Sequence, residues 1–211
     1  MPPVHAQIHK MSFHKESVRA MQFSSDGKHI FTASADKSMR LLDMETGTSM
    51  REITSAHTDA INVLCMVEDN LLVSGDDGGV IKIWDVRQAG VALTYDECED
   101  FISDITYHQP TNSVLTTSGD GTLSIFNVKN PRKPFFVQRS DYMDEELLSV
   151  CVMKNGKKVV CGTQEGIISI FSWGQWGDCS DRFPGHPLSI DTILPLTEGI
   201  CLTGSSDGLI R

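Results

Sequence analysis

His14, His57 and His186 each stand four residues ahead of a β-branched residue: Val18, Ile61 and Ile190. Aspartates recur at Asp36, Asp120 and Asp207, each in a short polar turn. A histidine near a carboxylate and a serine could act as a general base or complete a nucleophilic triad. The recurrence argues against that use. A catalytic histidine is needed once and would not return with the period of the chain. The same reasoning retires the recurring aspartates as catalytic carboxylates. His5, His9, His29 and His108 lack metal-ligand spacing such as HExxH. No GxSxG elbow, P-loop or dinucleotide fingerprint is present. The sequence therefore assigns no catalytic residue, no metal ligand and no cofactor site.

The elements that carry these residues repeat with them. The clearest copy reads His57-Thr58-Asp59, then Ile61 to Cys65, Leu72 to Asp77, and Val80 to Asp85. Its closing pair, Trp84-Asp85, has counterparts at Leu42-Asp43, Phe126-Asn127 and Phe171-Ser172, spaced by 42, 42 and 45 residues. Short apolar runs alternate with Asp-Gly and Asn-Gly turns at Asp26-Gly27, Asp120-Gly121, Asn155-Gly156 and Asp207-Gly208. Such pairs supply the positive φ angles that tight hairpins need. Pro110-Thr111-Asn112 is a chemically different turn at the equivalent place in the third unit. Four short strands per unit at this period predict an all-β propeller. Outermost strands are expected at Ser49–Ile53, Val91–Tyr95, Phe135–Gln138 and Cys179–Phe183. Units are expected over about 14–54, 55–96, 97–140, 141–183 and 184–211, the last incomplete. Residues 1–13 form an extension, in which Val4, Ala6 and Ile8 alternate as an outer strand would.

Composition narrows the classes of partner. Net charge is −10, and acids cluster at Asp96 to Asp100 and Asp141 to Glu146. A nucleic-acid binder needs a basic face, yet the basic stretches, Lys129 to Lys133 and Lys154 to Lys158, are short. Direct nucleic-acid binding is therefore disfavoured. No apolar run approaches the ~18 residues of a membrane span. The first ten residues lack the apolar core of a secretory signal, which predicts an intracellular protein. In that compartment the six cysteines read as reduced thiols, four of them inside apolar strands.

The His before the first strand, the Asp of the turn and the closing Trp-Asp resemble the WD-repeat β-propeller family over nearly the whole chain. The resemblance implies seven blades, of which about four and a half are present as an open fragment. It also implies a hydrogen-bonded tetrad within a blade, whose matching positions in unit two are His57, Ser74, Asp77 and Trp84. In unit four Asp144 stands at the His position, Glu165 at the Asp and Phe171 at the Trp, so packing must hold that blade. Gly75-Asp76-Asp77-Gly78-Gly79, Met153 through Gly162, Ser180-Asp181-Arg182-Phe183 and Thr203 through Gly208 are similar to one branch of the family. That branch is WD repeat-containing protein 55 with its fungal counterparts. The likeness implies a nuclear and nucleolar protein associated with ribosomal RNA production. Full-length members carry a repeat before the region matching residues 14–54 and more after residue 211, and are expected to be monomers within larger assemblies.

Four residues are candidate partner contacts: Asp85, Arg87, Trp173 and Trp176. Trp84-Asp85-Val86-Arg87 resembles the motif by which WD-repeat substrate receptors engage a cullin-RING ubiquitin-ligase adaptor. A guanidinium on the rim could grip an adaptor carboxylate, or could pair with an acid of this chain. Trp173 and Trp176 flank Gly174-Gln175 in an expected loop, either as exposed hot spots or folded back over a blade edge. The leading expectation is a non-catalytic scaffold for partner proteins in ribosome biogenesis. The alternatives are a ligase receptor and, behind it, a direct RNA binder. Two bare blade faces of about 400 Å² each would cost about 10 kcal/mol apiece at ~25 cal/mol/Å². That rivals the stability of a whole domain, so the 211-residue chain is expected to self-associate.

Overall fold

A computed structural model describes residues 9–68, 71–87, 90–130 and 132–211. The expected outer strand at Val4, Ala6 and Ile8 lies outside the described residues, as does Pro131. Among the described residues, eighteen strands and one 3-10 turn make up the regular structure. The first sheet is β1 (Val18–Phe23), β2 (His29–Ser34), β3 (Met39–Asp43) and β4 (Ser49–Ile53), in that order. The second is β5 (Ile61–Val67), β6 (Leu71–Asp76), β7 (Ile81–Asp85) and β8 (Val91–Tyr95). The third is β9 (Ile102–His108), β10 (Ser113–Ser118), β11 (Leu123–Asn127) and β12 (Phe135–Arg139). The fourth is β13 (Leu147–Met153), β14 (Lys158–Thr163), β15 (Ile167–Ser172) and β16 (Asp181–Pro184). β17 (Ile190–Thr197) pairs with β18 (Ile200–Ser205) in a fifth, two-stranded sheet. All pairings are antiparallel between chain neighbours, the arrangement of WD-repeat propeller blades.

One core cluster lies at each sheet-to-sheet interface. Ala33 and Met39 meet Ile61, Leu64, Leu72 and Trp84 between the first and second sheets. Val73, Ile83 and Tyr95 meet Ile102, Val114 and Phe126 at the next. Leu115 and Ile125 then meet Leu147, Val159 and Phe171, and Cys151 and Val160 meet Ile190 and Ile193. This explains why β6 and β10 are buried along their full length. A strand covered on both faces reads as a continuous apolar and small-residue run, not as an alternation.

The inner strands β1, β5, β9, β13 and β17 touch in succession. Each carries a bulge at its start, which sets aside Arg19, Asn62, Ser103, Leu148 and Asp191. Side chains near these bulges tie one sheet to the next sheet's backbone. Ser103 Oγ donates to the Leu147 carbonyl at 2.6 Å, and Ser149 Oγ to the Ile190 carbonyl at 3.0 Å. Asp104 accepts the Val150 N–H at 2.9 Å.

The outer strands fall where expected in three sheets. In the fourth, β16 begins at Asp181 rather than Cys179, because Ser180 turns back to bond the Ile170 carbonyl through both N–H and Oγ. Bulges at Met50, Ala92 and Val137 interrupt β4, β8 and β12 at corresponding places. An interrupted edge is a poor template for a foreign strand. The odd turn of the third unit is the 3-10 element Gln109–Thr111, closed by Asn112 at φ 51°.

Candidate functional site

β6 delivers Ser74 and Asp76 to the same face, because side chains in a strand alternate. His57 lies between them. Its Nδ1 is 2.8 Å from Asp76 Oδ2, and its Nε2 is 2.6 Å from Ser74 Oγ. Trp84 Nε1 donates to Ser74 Oγ at 2.8 Å. The set is satisfied when Nδ1–H donates to Asp76 and Nε2 accepts the Ser74 hydroxyl. Those are the bonds of a Ser-His-Asp triad, but Ser74 and Asp76 are 0 % exposed and His57 is 3 % exposed. The Ser74 oxygen also accepts the Trp84 N–H. The group is a sealed brace with no route for a substrate.

The expected tetrad member Asp77 is corrected here to Asp76. Asp77 faces the other way and bonds Arg19 at 2.8 Å on the rim. Asp76 does two tasks. One carboxylate oxygen takes the imidazole, and the other accepts the Gly78 and Val80 N–H groups at 3.1 and 2.8 Å. Burial alone would raise its pKa, but the His57 and backbone hydrogen bonds outweigh that and hold it below the usual carboxylate value. In the first unit Asp36 serves two residues further along, taking the Ser38 N–H at 3.0 Å and His14 at 3.1 Å. Matched turn bonds set Asp36 against Gly78 and Ser34 against Asp76. Strand parity was the signal that could have found it.

The brace changes from sheet to sheet. His14 keeps Thr32 at 2.8 Å, with Leu42 in the Trp place. In the third unit Cys98, Thr116, Asp120 and Phe126 hold the four positions, and Asp120 accepts the Thr122 N–H at 2.9 Å. In the fourth unit the His position is Met143, not Asp144. It lies three residues before the carbonyl of Glu146, which accepts the Gln164 N–H, as His57 precedes Ala60 and its bond from Asp77. Met143, Cys161 and Phe171 pack in the same apolar cluster. His186 keeps Thr203 at 2.7 Å, while Asp207 pairs with Arg211 at 2.6 Å.

The candidate partner contacts separate. Arg87 donates Nε and Nη2 to the two oxygens of Asp85, at 2.8 and 2.6 Å. The Arg87 hydrogen bonds lower the Asp85 pKa to about 2. The fork that was to grip an adaptor is thus engaged within its own strand end, and Asp85 is itself buried. Trp176 is 6 % exposed and belongs to the core between the third and fourth sheets, with Trp173 packed against it at 5.1 Å between ring centres. The folded-back arrangement holds for Trp176. The rim aromatic that sequence reasoning missed is Tyr142, 54 % exposed, with the Arg139 guanidinium 5.0 Å from its ring centre. Its place in an acidic run gave no sign of it.

All six cysteines are free thiols. Burial pushes Cys65 up to about 12 and Cys98 up to about 11. Among the described residues no group of three or more His, Cys, Asp or Glu side chains could hold a metal ion. No helix among them is long and apolar enough to cross a membrane.

The family profile described as WDR55 matches residues 3–211. WD repeat-containing protein 55 of Arabidopsis thaliana is 44 % identical over 202 residues, covering 95 % of this chain and 56 % of that protein. The Rattus norvegicus protein of the same name is 43 % identical over 198 residues, covering 94 % and 51 %. WD repeat-containing protein JIP5 of the fungus Coprinopsis cinerea is 37 % identical over 206 residues, covering 93 % and 50 %. The chain spans about half the length of the curated relatives it matches. With the repeated sheets, the buried His-Ser-Trp brace and a profile match over nearly every residue, the chain belongs to the WD repeat-containing protein 55 family.

Proposed function

We propose that this chain is the interaction platform of a non-catalytic scaffold in nuclear and nucleolar ribosomal RNA production. Membership of a WD-repeat family supports the protein-interaction part. The compartment and the process rest on the motif resemblance at Gly75–Gly79, Met153–Gly162 and Thr203–Gly208. One observation carries the scaffold reading. The recurring His, Ser and Asp side chains are spent on bonds inside the sheets, which leaves the rim loops as the variable chemistry.

Depletion of the protein is expected to lower ribosomal RNA precursors, read by pulse labelling of nascent RNA. Arg87→Ala should restore them as well as the unaltered chain does. An Arg87→Ala protein that folds but no longer retains a cullin-RING adaptor in affinity purification would sink this reading in favour of a ligase receptor. RNA binding that falls steeply with salt would instead favour a direct RNA binder.

A further inference from the structure

Three successive pairs of neighbouring sheets share a set of equivalent positions near one rim, fixed by the repeat. Between the second and third sheets these are Val73, Ile83, Tyr107 and Val128. The Tyr107 ring fills the space, and Val73, Ile83 and Val128 are buried beneath it. Its hydroxyl donates to Glu68 at 3.0 Å. Between the third and fourth sheets the same positions are Leu115, Ile125, Val152 and Trp173. Trp173 fills that slot, backed by Trp176 and capped by His108 at 4.7 Å between ring centres. In both slots a residue at the preceding sheet's first turn or at the strand end that leads into it, Glu68 or His108, touches the aromatic plug.

Between the first and second sheets the positions are Phe31, Leu41, Met66 and Val86. Met66 stands where Tyr107 does, and Val86 where Trp173 does. Phe31 belongs to the opposite wall. Phe31 stands where Val73 and Leu115 do, so the ring of this slot holds neither of the two positions that Tyr107 and Trp173 occupy in the others. A cavity of about 350 Å³ remains, lined by these four residues on one side and by Ser24, Ser25, Asp26 and His29 on the other. That volume lies at the low end of ligand pockets, about 300–1,000 Å³.

We propose that this slot docks a tryptophan or tyrosine side chain of a partner protein, on a segment flanked by arginine or lysine. The two sibling slots show what fits: a single aromatic ring, met at the rim by a polar or ring-bearing turn residue. The lining sets the charge. Asp26 lies beside His29, and Asp43 pairs with His29 across the β2–β3 ladder. The Ser24 hydroxyl first, then the Lys28 N–H, hold the Asp26 carboxyl below its ordinary pKa. The Thr46 N–H does the same for Asp43. The Asp26 carboxylate in the lining, with Asp43 on the adjacent strand beyond His29, favours cationic flanks and disfavours acidic ones. The inference rests on the scaffold reading and gives it one surface and one partner chemistry.

The test uses the full-length protein labelled with carbon-13 at its methionine methyl groups. The probe is a synthetic peptide with one Trp between arginines. The Met66 methyl is expected to move upfield in the ring current and to saturate. A peptide with Ala for Trp should leave it unmoved, and glutamate flanks should weaken the response by at least about tenfold. Val86→Trp copies the third-to-fourth slot. Its Met66 signal should be shifted before any peptide is added and should not respond further. Met66→Tyr copies the other filled slot and should abolish binding in a fluorescence-anisotropy titration. A Met66 methyl that ignores millimolar peptide overturns the proposal. So does a folded Val86→Trp or Met66→Tyr protein that binds the peptide as the parent does. Affinity purification in parallel separates the two levels. Partners retained equally by the parent and Val86→Trp overturn the slot and leave the scaffold standing. A parent that retains no partner overturns the scaffold reading, while the peptide titration still judges the slot.

Discussion

Neighbouring aspartates can have opposite fates, and Asp76 and Asp77 give a direct comparison. Asp76→Ala strands His57 and two turn N–H groups in a sealed interior, and is expected to cost about 3–5 kcal/mol. Asp77→Ala loses a rim pair with Arg19 and should stay within about 1 kcal/mol. Urea denaturation of the two variants checks the order. Equal losses would mean that the brace is not where the stability lies. Asp104 supplies a second test. Burial between the third and fourth sheets pushes its carboxyl pKa up to about 6 from an ordinary 3.8. A folded state that holds the proton more tightly than the unfolded chain loses stability as pH rises through that window. The wild-type curve should therefore fall, relative to Asp104→Asn, between about pH 4 and 6, and run parallel to it above. Asp76 works in the opposite sense, since a depressed pKa contributes stability that is lost in acid. A difference curve that is flat from pH 4 to 6 would refute the Asp104 assignment.

At the scale of the element, the turn glycines show how sheets are stitched. Gly79 has φ +84°, and a Cβ there would lie 2.5 Å from the Cys98 carbonyl oxygen and 2.8 Å from that of Asp100. Gly121 and Gly166 face the carbonyls of Met143 and His186 in the same way. Gly208 has a similar φ with nothing within 4 Å. Gly208→Ala should cost only the left-handed penalty of about 1–2 kcal/mol, and Gly79→Ala clearly more, measured by thermal unfolding. Most elements were legible in the sequence, because Asp-Gly turns and a 42-residue period mark strand ends independently of packing. β4 and β8 fall where the pattern places them. The details that were not legible depend on which face a residue takes within a strand or turn. Asp76 replaced Asp77 and Met143 replaced Asp144, each by a shift of one residue that flips a side chain to the other side. Trp176 was ambiguous because a glycine-flanked loop can fold inward or outward, and only the space beside Leu115 and Ile125 decides it.

Across the described residues, each sheet makes its main contacts with its neighbours, as in other repeat architectures. The first sheet exposes Val18, Met21 and Phe23, and the β17–β18 sheet exposes Leu194, Leu196 and Ile200. The 211-residue chain is expected to show a mass that rises with concentration in light scattering. Charged replacements at Leu194 and Leu196 should reduce that rise, and a constant monomer mass over a hundredfold dilution would count against it. Hydrogen exchange should be slowest in β6 and β10, which are covered on both faces, and fast in the exposed β16. The ties between inner strands also set a clock. Ser103, Asp104 and Ser149 bond backbone groups that lie 44, 46 and 41 residues further along. At a synthesis rate of about 5–20 residues per second, each waits roughly 2–9 s for its partner to be made. On the ribosome, a newly formed blade spends those seconds with its inner polar groups hydrated and its leading face uncovered, the interval in which a chaperone would have to act.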